Sequence, residues 1–176
     1  MSLVSIIVPY YKKKKFITKS IKSALNQSYK KLEIIIVYDD EDKRDLTFLK
    51  NNYNKIKKIK IVVNKKNLGA GLSRNSGIEF SKGRYIAFLD ADDEWKKNKL
   101  MKQIKFMRKN KILVSHTSYK SKNKNGEIIG KRIARNFFHI NDLLKSCDIG
   151  LSTVVLDKKI YGRDCRFSNY KTKEDL

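Results

Sequence analysis

Apolar residues in the first half of the chain fall into short unbroken runs, separated by segments in which apolar positions recur three and four residues apart. The runs predict buried strands at residues 3–9, 32–38, 59–63 and 84–90. The spaced segments predict helices at residues 16–25, 43–54 and 71–80. Continuous apolar strands that alternate with helices are typical of an α/β fold, with a mostly parallel sheet covered on both faces. Ligands of such sheets bind at the carboxyl ends of the strands.

The second half of the chain is less regular. A fourth helix follows the fourth strand and carries Met101, Ile104 and Met107. Beyond it, the pattern predicts strands at residues 112–119, 127–133 and 152–157, a turn at Asn125-Gly126 and a short helix at residues 140–146. Because no repeat, linker or low-complexity tail interrupts the chain, residues 1–176 are expected to form a single domain.

Carboxylates follow two of the predicted strands at the point where each strand ends. Asp39 and Asp40 follow the second strand, Asp90 is the last residue of the fourth, and Asp92 and Asp93 come directly after it. Since the carboxyl ends of parallel strands meet at one edge of a sheet, these groups are expected to converge. Carboxylate oxygens are ligands for a hard cation such as Mg²⁺, which often takes only one or two of them together with phosphate oxygens. The alternative is a cluster that caps the following helix, which is the role we assign to Asp93.

A glycine-rich stretch, GAGLSRNSG at residues 69–77, opens the third predicted helix. It is not a dinucleotide-binding fingerprint, because Arg74 stands in place of the third glycine and the stretch follows the third strand rather than the first. A glycine-rich helix start can place backbone amides, or here Arg74, near phosphate groups. The alternative is that the small residues let this helix pack tightly on the sheet.

The amino-acid composition indicates a globular protein but does not indicate a reaction. The chain has 176 residues, of which 40% are apolar, and this is enough for a sizeable core. Cys147, Cys165, His116 and His139 show no zinc-ligand spacing and are interpreted as ordinary side chains. No apolar run approaches the ~18 residues of a membrane span, and the start of the chain lacks a signal-peptide pattern. The expected compartment is therefore the cytoplasm.

The net charge of +23 predicts attraction to polyanions. It is compatible with a solvated lysine-rich surface, a nucleic-acid-binding module, or a protein that rests on anionic lipid. The lysines are scattered from Lys12 to Lys173, and no motif of a nucleic-acid-binding class is present, so no specific nucleic acid is expected. The expected partners are phosphate-bearing substrates and, at the inner membrane face, anionic lipid in a peripheral contact.

Three stretches, taken in order, resemble the motifs of a known family. They are VSIIVPYYKKKKFITKSIKSALNQSYKKLEIIIVYDD, NLGAGLSRNSGIEFSKGRYIAFLDADDEW and the terminal KTKEDL. Together they resemble the family 2 glycosyltransferases, whose GT-A fold is a Rossmann-like form of the predicted sheet. The resemblance implies a nucleotide-sugar-binding half at residues 1–95 and a partial acceptor and catalytic half at residues 96–176. It implies an inverting transfer of a sugar from a nucleoside diphosphate, in particular UDP, to a hydroxyl of a glycan or lipid-linked acceptor in surface polysaccharide synthesis.

The roles of individual residues follow from the resemblance position by position. Pro9 and Tyr11 match the first nucleotide-binding loop of the family. Asp39 matches the aspartate that contacts the uracil of a UDP-sugar. Arg74 matches the arginine near the diphosphate or the sugar.

The Asp-x-Asp motif and the catalytic base are implied in the same way. Asp90, Ala91 and Asp92 match the Asp-x-Asp motif, which implies a divalent metal cofactor, Mg²⁺ or Mn²⁺. Asp92 is the more direct metal ligand of the two aspartates, and Asp90 and Ala91 also lie beside the donor. Asp175, in the Glu-Asp pair of KTKEDL, matches the catalytic base.

The chain also departs from the family pattern. Lys12 stands where the family commonly has Asn, Tyr38 where it has Asp, and Asp40-Glu41 where it has Gly-Ser, so the loop after the second strand is expected to differ. The chain ends one residue after Asp175, so the region that normally binds the acceptor is expected to be missing, either because the chain is a fragment or because the natural protein is short. A sugar-phosphate nucleotidyltransferase is the rival enzyme, but the first loop, PYYKKKK, contains no glycine.

Overall fold

The computed structural model describes residues 1–135, 149–160 and 166–168. The strands are β1 (Val4–Tyr10), β2 (Leu32–Tyr38), β3 (Ile59–Val63), β4 (Tyr85–Phe88), β5 (Val114–Ser115), β6 (Tyr119–Lys122), β7 (Ile128–Arg132) and β8 (Val155–Asp157). The helices are α1 (Lys14–Leu25), α2 (Arg44–Tyr53), α3 (Ala70–Glu79) and α4 (Lys99–Asn110). Short 3₁₀ turns lie at Leu151–Thr153 and Lys158–Ile160.

Six of these strands form the main sheet, in the order β3-β2-β1-β4-β8-β5. β1 pairs with β2 and with β4, and β2 pairs with β3, all in parallel. β8 is antiparallel to both of its neighbours, β4 and β5. β6 and β7 form a separate antiparallel hairpin. The four strands predicted in the first half are therefore present, and they form the parallel part of the sheet.

Side chains that alternate along the strands divide the core between the two faces of the sheet. On one face, Ile6 and Ile34 belong to a buried cluster that includes residues of α1, α2 and α4. On the other face, Ile7 and Ile35 pack with Ile78 of α3. Helices thus cover both faces, as predicted. A Cβ atom at Gly77 would lie 2.5 Å from Cγ2 of Ile7, so α3 packs on the sheet at a distance that glycine permits.

Two elements predicted in the second half are wrong in extent. The run at residues 112–119 contains only Val114–Ser115 of the main sheet, and the chain then leaves this sheet and enters the hairpin at Tyr119. The run at residues 152–157 begins in a 3₁₀ turn and is a strand only from Val155. An apolar run does not indicate how many of its residues have a partner strand. Here the first run pairs over two residues in the main sheet, and the second over three. The helix predicted at residues 140–146 lies outside the described residues.

The amino group of Lys99, at the start of α4, is buried. Its Nζ lies 4.0 Å from the centroid of the Trp95 ring, and in the described part of the chain it has no hydrogen-bond partner. Burial lowers the pKa of Lys99 to about 7. In the unfolded chain a lysine keeps its proton up to about pH 10. Between these two pH values the unfolded state binds more protons than the folded state, so stability rises with pH.

We expect Lys99→Met to raise the free energy of unfolding at pH 7 by about 1–3 kcal/mol, because it removes a buried amine that has no hydrogen-bond partner among the described residues. The variant should also gain less stability between pH 7 and pH 9 than the wild type. Urea denaturation at both pH values measures both effects. Lys97→Met, at an exposed position of the same segment, controls for the loss of one positive charge. Equal pH dependence in Lys99→Met and the wild type would contradict this account.

Candidate functional site

A cleft of about 820 Å³ opens where β1, β2 and β4 end, beside the start of α3. Seven residues singled out from the sequence line it, namely Pro9, Tyr11, Asp39, Arg74, Asp90, Ala91 and Asp92. All of its lining residues fall between Pro9 and Asp92. Asp175 lies outside the described residues. The structure thus brings the predicted donor-site residues into one cleft, and their individual roles stay predictions.

The cleft is acidic although the chain is strongly basic. Six carboxylates line it: Asp39, Asp40, Glu41, Asp42, Asp90 and Asp92. Three cationic side chains accompany them: Lys12, Lys13 and Arg74. A nucleoside diphosphate would bring further negative charge into this setting, so the arrangement favours a ligand that arrives together with a cation.

Asp39, at the end of β2, is buried and holds the loop that leads into α3. Its Oδ1 accepts hydrogen bonds from Nδ2 of Asn64 at 2.7 Å and from the backbone N–H of Leu68 at 2.9 Å. Its Oδ2 accepts one from the N–H of Gly69 at 2.8 Å. Nδ2 of Asn64 also lies 2.9 Å from Oγ of Ser73 and donates to it, which ties the loop to the helix. Asp39 therefore shapes this side of the cleft, whatever it contacts in a bound nucleotide.

Arg74 reaches the cleft from α3 and is only 8% exposed. One of its nitrogens, Nη2, donates to Oδ1 of Asp90 at 2.8 Å. Its guanidinium carbon lies 5.6 Å from the centroid of the Phe167 ring. Its Nε is buried and has no hydrogen-bond partner among the described residues. Asp90 and Phe167 thus hold the guanidinium in place at the cleft wall.

The turn after β4 is held by a residue that is distant in sequence. The backbone N–H of Asp90 donates to Oγ of Ser152 at 3.0 Å, and its carbonyl accepts from Oγ of Ser20 at 3.1 Å. The indole N–H of Trp95 donates to the carbonyl of Ser152 at 2.8 Å. The Asp-x-Asp segment is therefore fixed to α1 and to the 3₁₀ turn that precedes β8.

Asp92 is more accessible than Asp90. Its side chain is 40% exposed, and Oδ2 lies 2.7 Å from Nζ of Lys13, which follows β1. Asp93 does not cap a helix, because α4 begins only at Lys99 and no side-chain cap bond is made there. Instead the N–H of Asp93 donates to the carbonyl of Asp90 at 3.0 Å and closes the turn. Burial raises the pKa of Asp93.

The donor set fits a magnesium or manganese ion that shares its ligands with a phosphate-bearing substrate. Asp90 and Asp92 supply two carboxylates from one short turn. Residues 1–135, 149–160 and 166–168 contain no group of three or more His, Cys, Asp or Glu side chains that could hold a metal by themselves. Mg²⁺ typically binds through one or two carboxylates, substrate phosphates and water. Asp90 already pairs with Arg74, and Asp92 pairs with Lys13. Positive charge beside these two carboxylates is therefore favourable.

Four residues of this site were missed in the sequence: Lys13, Asn64, Ser152 and Phe167. Lys13 sits in a run of four lysines, so nothing in its composition singles it out. Asn64 immediately follows β3, and it is a polar residue at a strand end but not a carboxylate. Ser152 and Phe167 come from the irregular second half, and no periodic pattern connects them to the cleft.

Comparison with known proteins gives a consistent result. Residues 5–157 match the family model described as Glycosyl transferase family 2. WfgD of Escherichia coli, named a UDP-Glc:alpha-D-GlcNAc-diphosphoundecaprenol beta-1,3-glucosyltransferase, is 41% identical over 158 residues, which cover 90% of this chain and 61% of that protein. TuaG of Bacillus subtilis, named a putative teichuronic acid biosynthesis glycosyltransferase, is 38% identical in an alignment 178 positions long, which covers 99% of this chain and 69% of that protein.

Among solved structures, S. aureus TarS 1-349 in complex with UDP matches with a TM-score of 0.60 and 27% identity. The match covers 73% of this chain and 38% of the TarS chain. The predicted fold class, a GT-A type of α/β fold, is confirmed by this match and by the sheet topology.

Proposed function

Since the chain belongs to glycosyl transferase family 2, we propose that it binds a nucleoside diphosphate sugar, with UDP as the expected nucleotide, and transfers the sugar with inversion to an acceptor hydroxyl. The observation that carries this proposal is the acidic cleft, in which seven residues expected to bind the donor lie together. TarS complexes with UDP and with UDP-GlcNAc, at 27% and 26% identity, support UDP as the nucleotide.

The wall of the cleft offers distinct places for the parts of the donor. Tyr11, 47% exposed at the end of β1, and Asp39 at the end of β2 are assigned to the base. Arg74 is assigned to the diphosphate, because its positively charged guanidinium lines the cleft beside Asp90. Pro9 and Ala91 also line the cleft and carry no charge.

Asp90 and Asp92 are assigned to a divalent cation, Mg²⁺ or Mn²⁺. When bound, such an ion supplies Lewis-acid stabilisation of the negative charge that develops on the leaving diphosphate. Asp92 is the more accessible ligand, since Asp90 is also engaged by Arg74. Lys13 currently neutralises Asp92 and is placed to move toward a phosphate when that carboxylate changes partner.

The acceptor side of the proposal depends on the second half of the chain. Asp175 is assigned as the general base that takes the proton of the acceptor hydroxyl. The acceptor is proposed to be a glycan or a lipid-linked sugar, as the name of WfgD indicates for that relative. None of the described helices is long and apolar enough to cross a membrane. We assign the protein to the inner membrane face, where its charge of +23 would favour peripheral contact with anionic lipid.

A calorimetric titration tests the donor part of this proposal. UDP, GDP and CDP are each added to the protein with Mn²⁺ and, separately, with EDTA. UDP is expected to bind most tightly and to depend on Mn²⁺. Binding of UDP that is indifferent to Mn²⁺ would contradict the role of Asp90 and Asp92. Formation of pyrophosphate from a sugar phosphate and a nucleoside triphosphate would instead support a nucleotidyltransferase.

Arg74→Lys is expected to weaken UDP binding about 10- to 30-fold, because lysine cannot keep the contact with Asp90 and also present a second planar donor. Titration of UDP with Mn²⁺ measures the change. Arg84→Lys is the matched control, because Arg84 pairs with Asp157 at 2.8 Å near the opposite ends of the strands. An equal loss in both variants would indicate general destabilisation rather than diphosphate recognition.

A further inference from the structure

The β6–β7 hairpin exposes apolar side chains to solvent. Ile128 and Ile129 in β7 are 57% and 68% exposed, and Ile133, just beyond it, is 70% exposed. Apart from Met1, these are the three most exposed of the large apolar side chains in the described part of the chain. Isoleucines of the main sheet such as Ile6 and Ile35 are fully buried, so the exposure is a local feature of the hairpin.

Lysines share the outward face of this hairpin with Ile128. Lys120 pairs with Lys131, and Lys122 pairs with Ile128 across an irregular step in register that leaves Ile129 without an opposite residue. Residues opposite each other in an antiparallel pair point to the same face. Two lysines opposite each other repel, and this cost is relieved when the face meets negative charge.

Part of the other face of the hairpin packs against the protein. Tyr119 lies on that face. An atom of its ring lies only 3.4 Å from the point where a Cβ atom would stand if residue 150 were not glycine, so the ring packs closely on Gly150. Gly150 immediately precedes the turn that contains Ser152, and Oγ of Ser152 accepts a hydrogen bond from the backbone of Asp90. The hairpin is therefore joined to the wall of the cleft through a short, packed segment.

The end of the hairpin is preformed. Oδ1 of Asn123 accepts hydrogen bonds from the N–H groups of Asn125 at 2.9 Å and Glu127 at 3.0 Å. Gly126 adopts a φ of +86°, which favours glycine. The apolar and basic side chains are thus presented by a fixed turn, so little order has to be gained when they contact a surface.

We propose that this hairpin surface, made of Lys120, Lys122, Lys131, Ile128 and Ile129, docks on an anionic lipid bilayer. The lysines attract a negatively charged surface, and the net charge of +23 strengthens this attraction at a distance. The isoleucines enter the interface, where apolar side chains gain by leaving water. A nucleic acid would engage the lysines but leave the isoleucines in water, so the combination favours lipid.

This inference extends the proposed function, because a lipid-linked acceptor would reach the cleft from the membrane on which the hairpin rests. The docking itself requires neither donor nor acceptor. It can therefore be tested separately from sugar transfer.

Co-sedimentation with vesicles measures the docking. The 176-residue protein is expected to bind vesicles of phosphatidylcholine that contain phosphatidylglycerol, and to bind pure phosphatidylcholine vesicles much less. The double variant Ile128→Ser/Ile129→Ser should bind anionic vesicles about tenfold more weakly or worse, given the apolar area withdrawn from water. The triple variant Lys120→Gln/Lys122→Gln/Lys131→Gln should lose most of the binding.

A matched charge control separates this surface from the overall charge. Lys50→Gln/Lys55→Gln/Lys57→Gln removes the same number of charges from exposed positions in and after α2. It is expected to retain most of the vesicle binding. An equal loss in both triple variants, or no loss in the isoleucine variant, would overturn the proposal. Self-association of the wild type that the isoleucine variant abolishes would assign the hairpin to a second copy of the chain and would also overturn it.

The UDP titration with Mn²⁺ is repeated on every variant. Unchanged UDP binding in the hairpin variants shows that they are folded and that the cleft is intact. If the wild type binds vesicles through the hairpin but does not bind UDP, the proposed docking surface is supported and the proposed donor is rejected. Protein that binds UDP but not anionic vesicles would reject the docking surface alone.

Discussion

Asp92→Asn is expected to remove the response of UDP binding to Mn²⁺. The substitution keeps the size of the side chain and removes its charge, so Asp90 is left as the only aspartate of the Asp-x-Asp motif. With Mn²⁺ present, the affinity for UDP should fall about 100-fold, to the level that the wild type shows in EDTA, since a metal ion at a diphosphate contributes several kcal/mol. Sugar transfer should fall with it.

The same substitution has a second, opposite consequence in the absence of metal. Lys13 loses its ion pair with Asp92, in which Nζ and Oδ2 are 2.7 Å apart. The cleft also becomes less acidic. Binding of UDP in EDTA should therefore be unchanged or slightly tighter, so the affinities with Mn²⁺ and with EDTA should approach each other. A side chain with a purely structural role would lower both affinities together.

Asp42→Asn is the matched control for this experiment. Asp42 also lines the cleft, and its side chain is 38% exposed against 40% for Asp92. Its pKa is lowered to about 2 by the neighbouring Arg44, so it is charged throughout the titration. The Mn²⁺ response should persist in Asp42→Asn. A full Mn²⁺ response in Asp92→Asn, or an equal loss in both variants, would contradict the assignment of Asp92.

The parallel half of the fold could be predicted because its strands are long apolar runs buried on both faces. Each run of β1 and β2 is buried over nearly its whole length, so apolar character alone located it. Convergence of Asp39 with Asp90 and Asp92 then followed from the rule that parallel strands end at one edge. The strands were predicted from each apolar run by itself, and the convergence of the aspartates from a general property of parallel sheets. Neither prediction requires knowledge of a specific contact.

The remaining structure depends on contacts that no local pattern encodes. The predicted strand at residues 112–119 is two separate strands in the structure. β5 pairs with β8, whereas β6, which begins at Tyr119, pairs with β7. Asp93 was predicted to cap a helix because it follows a strand and precedes a helix. In the structure its N–H donates to the carbonyl of Asp90, and α4 begins only at Lys99. Ser152 holds that turn from far along the chain, and only the fold brings it there.

The carboxylates described in the cleft differ in how they are engaged, and this bears on the catalytic base. Asp39 accepts three hydrogen bonds, two of them from backbone amides, Asp90 is paired with Arg74, and Asp92 with Lys13. A base must offer an oxygen to the proton of the acceptor hydroxyl, and these three groups already serve other partners. Asp175, assigned from the family motif, stays the proposed base, and Asp93, which directly follows the Asp-x-Asp motif, is the alternative that the next experiment tests.

Asp175→Asn is expected to lower the rate of sugar transfer about 10²- to 10⁴-fold, which is the usual contribution of a positioned general base. The affinity for UDP with Mn²⁺ should be unchanged, because Asp175 is assigned to the acceptor and not to the donor. Asp93→Asn should leave transfer within a few-fold of the wild type, since its N–H closes the turn and an asparagine keeps that backbone bond. Release of UDP from a UDP-sugar in the presence of a lipid-linked acceptor measures the rate for each variant. If Asp93→Asn were the slow variant and Asp175→Asn the active one, proton removal would belong to the turn after β4, and the metal site and the base would share a single loop.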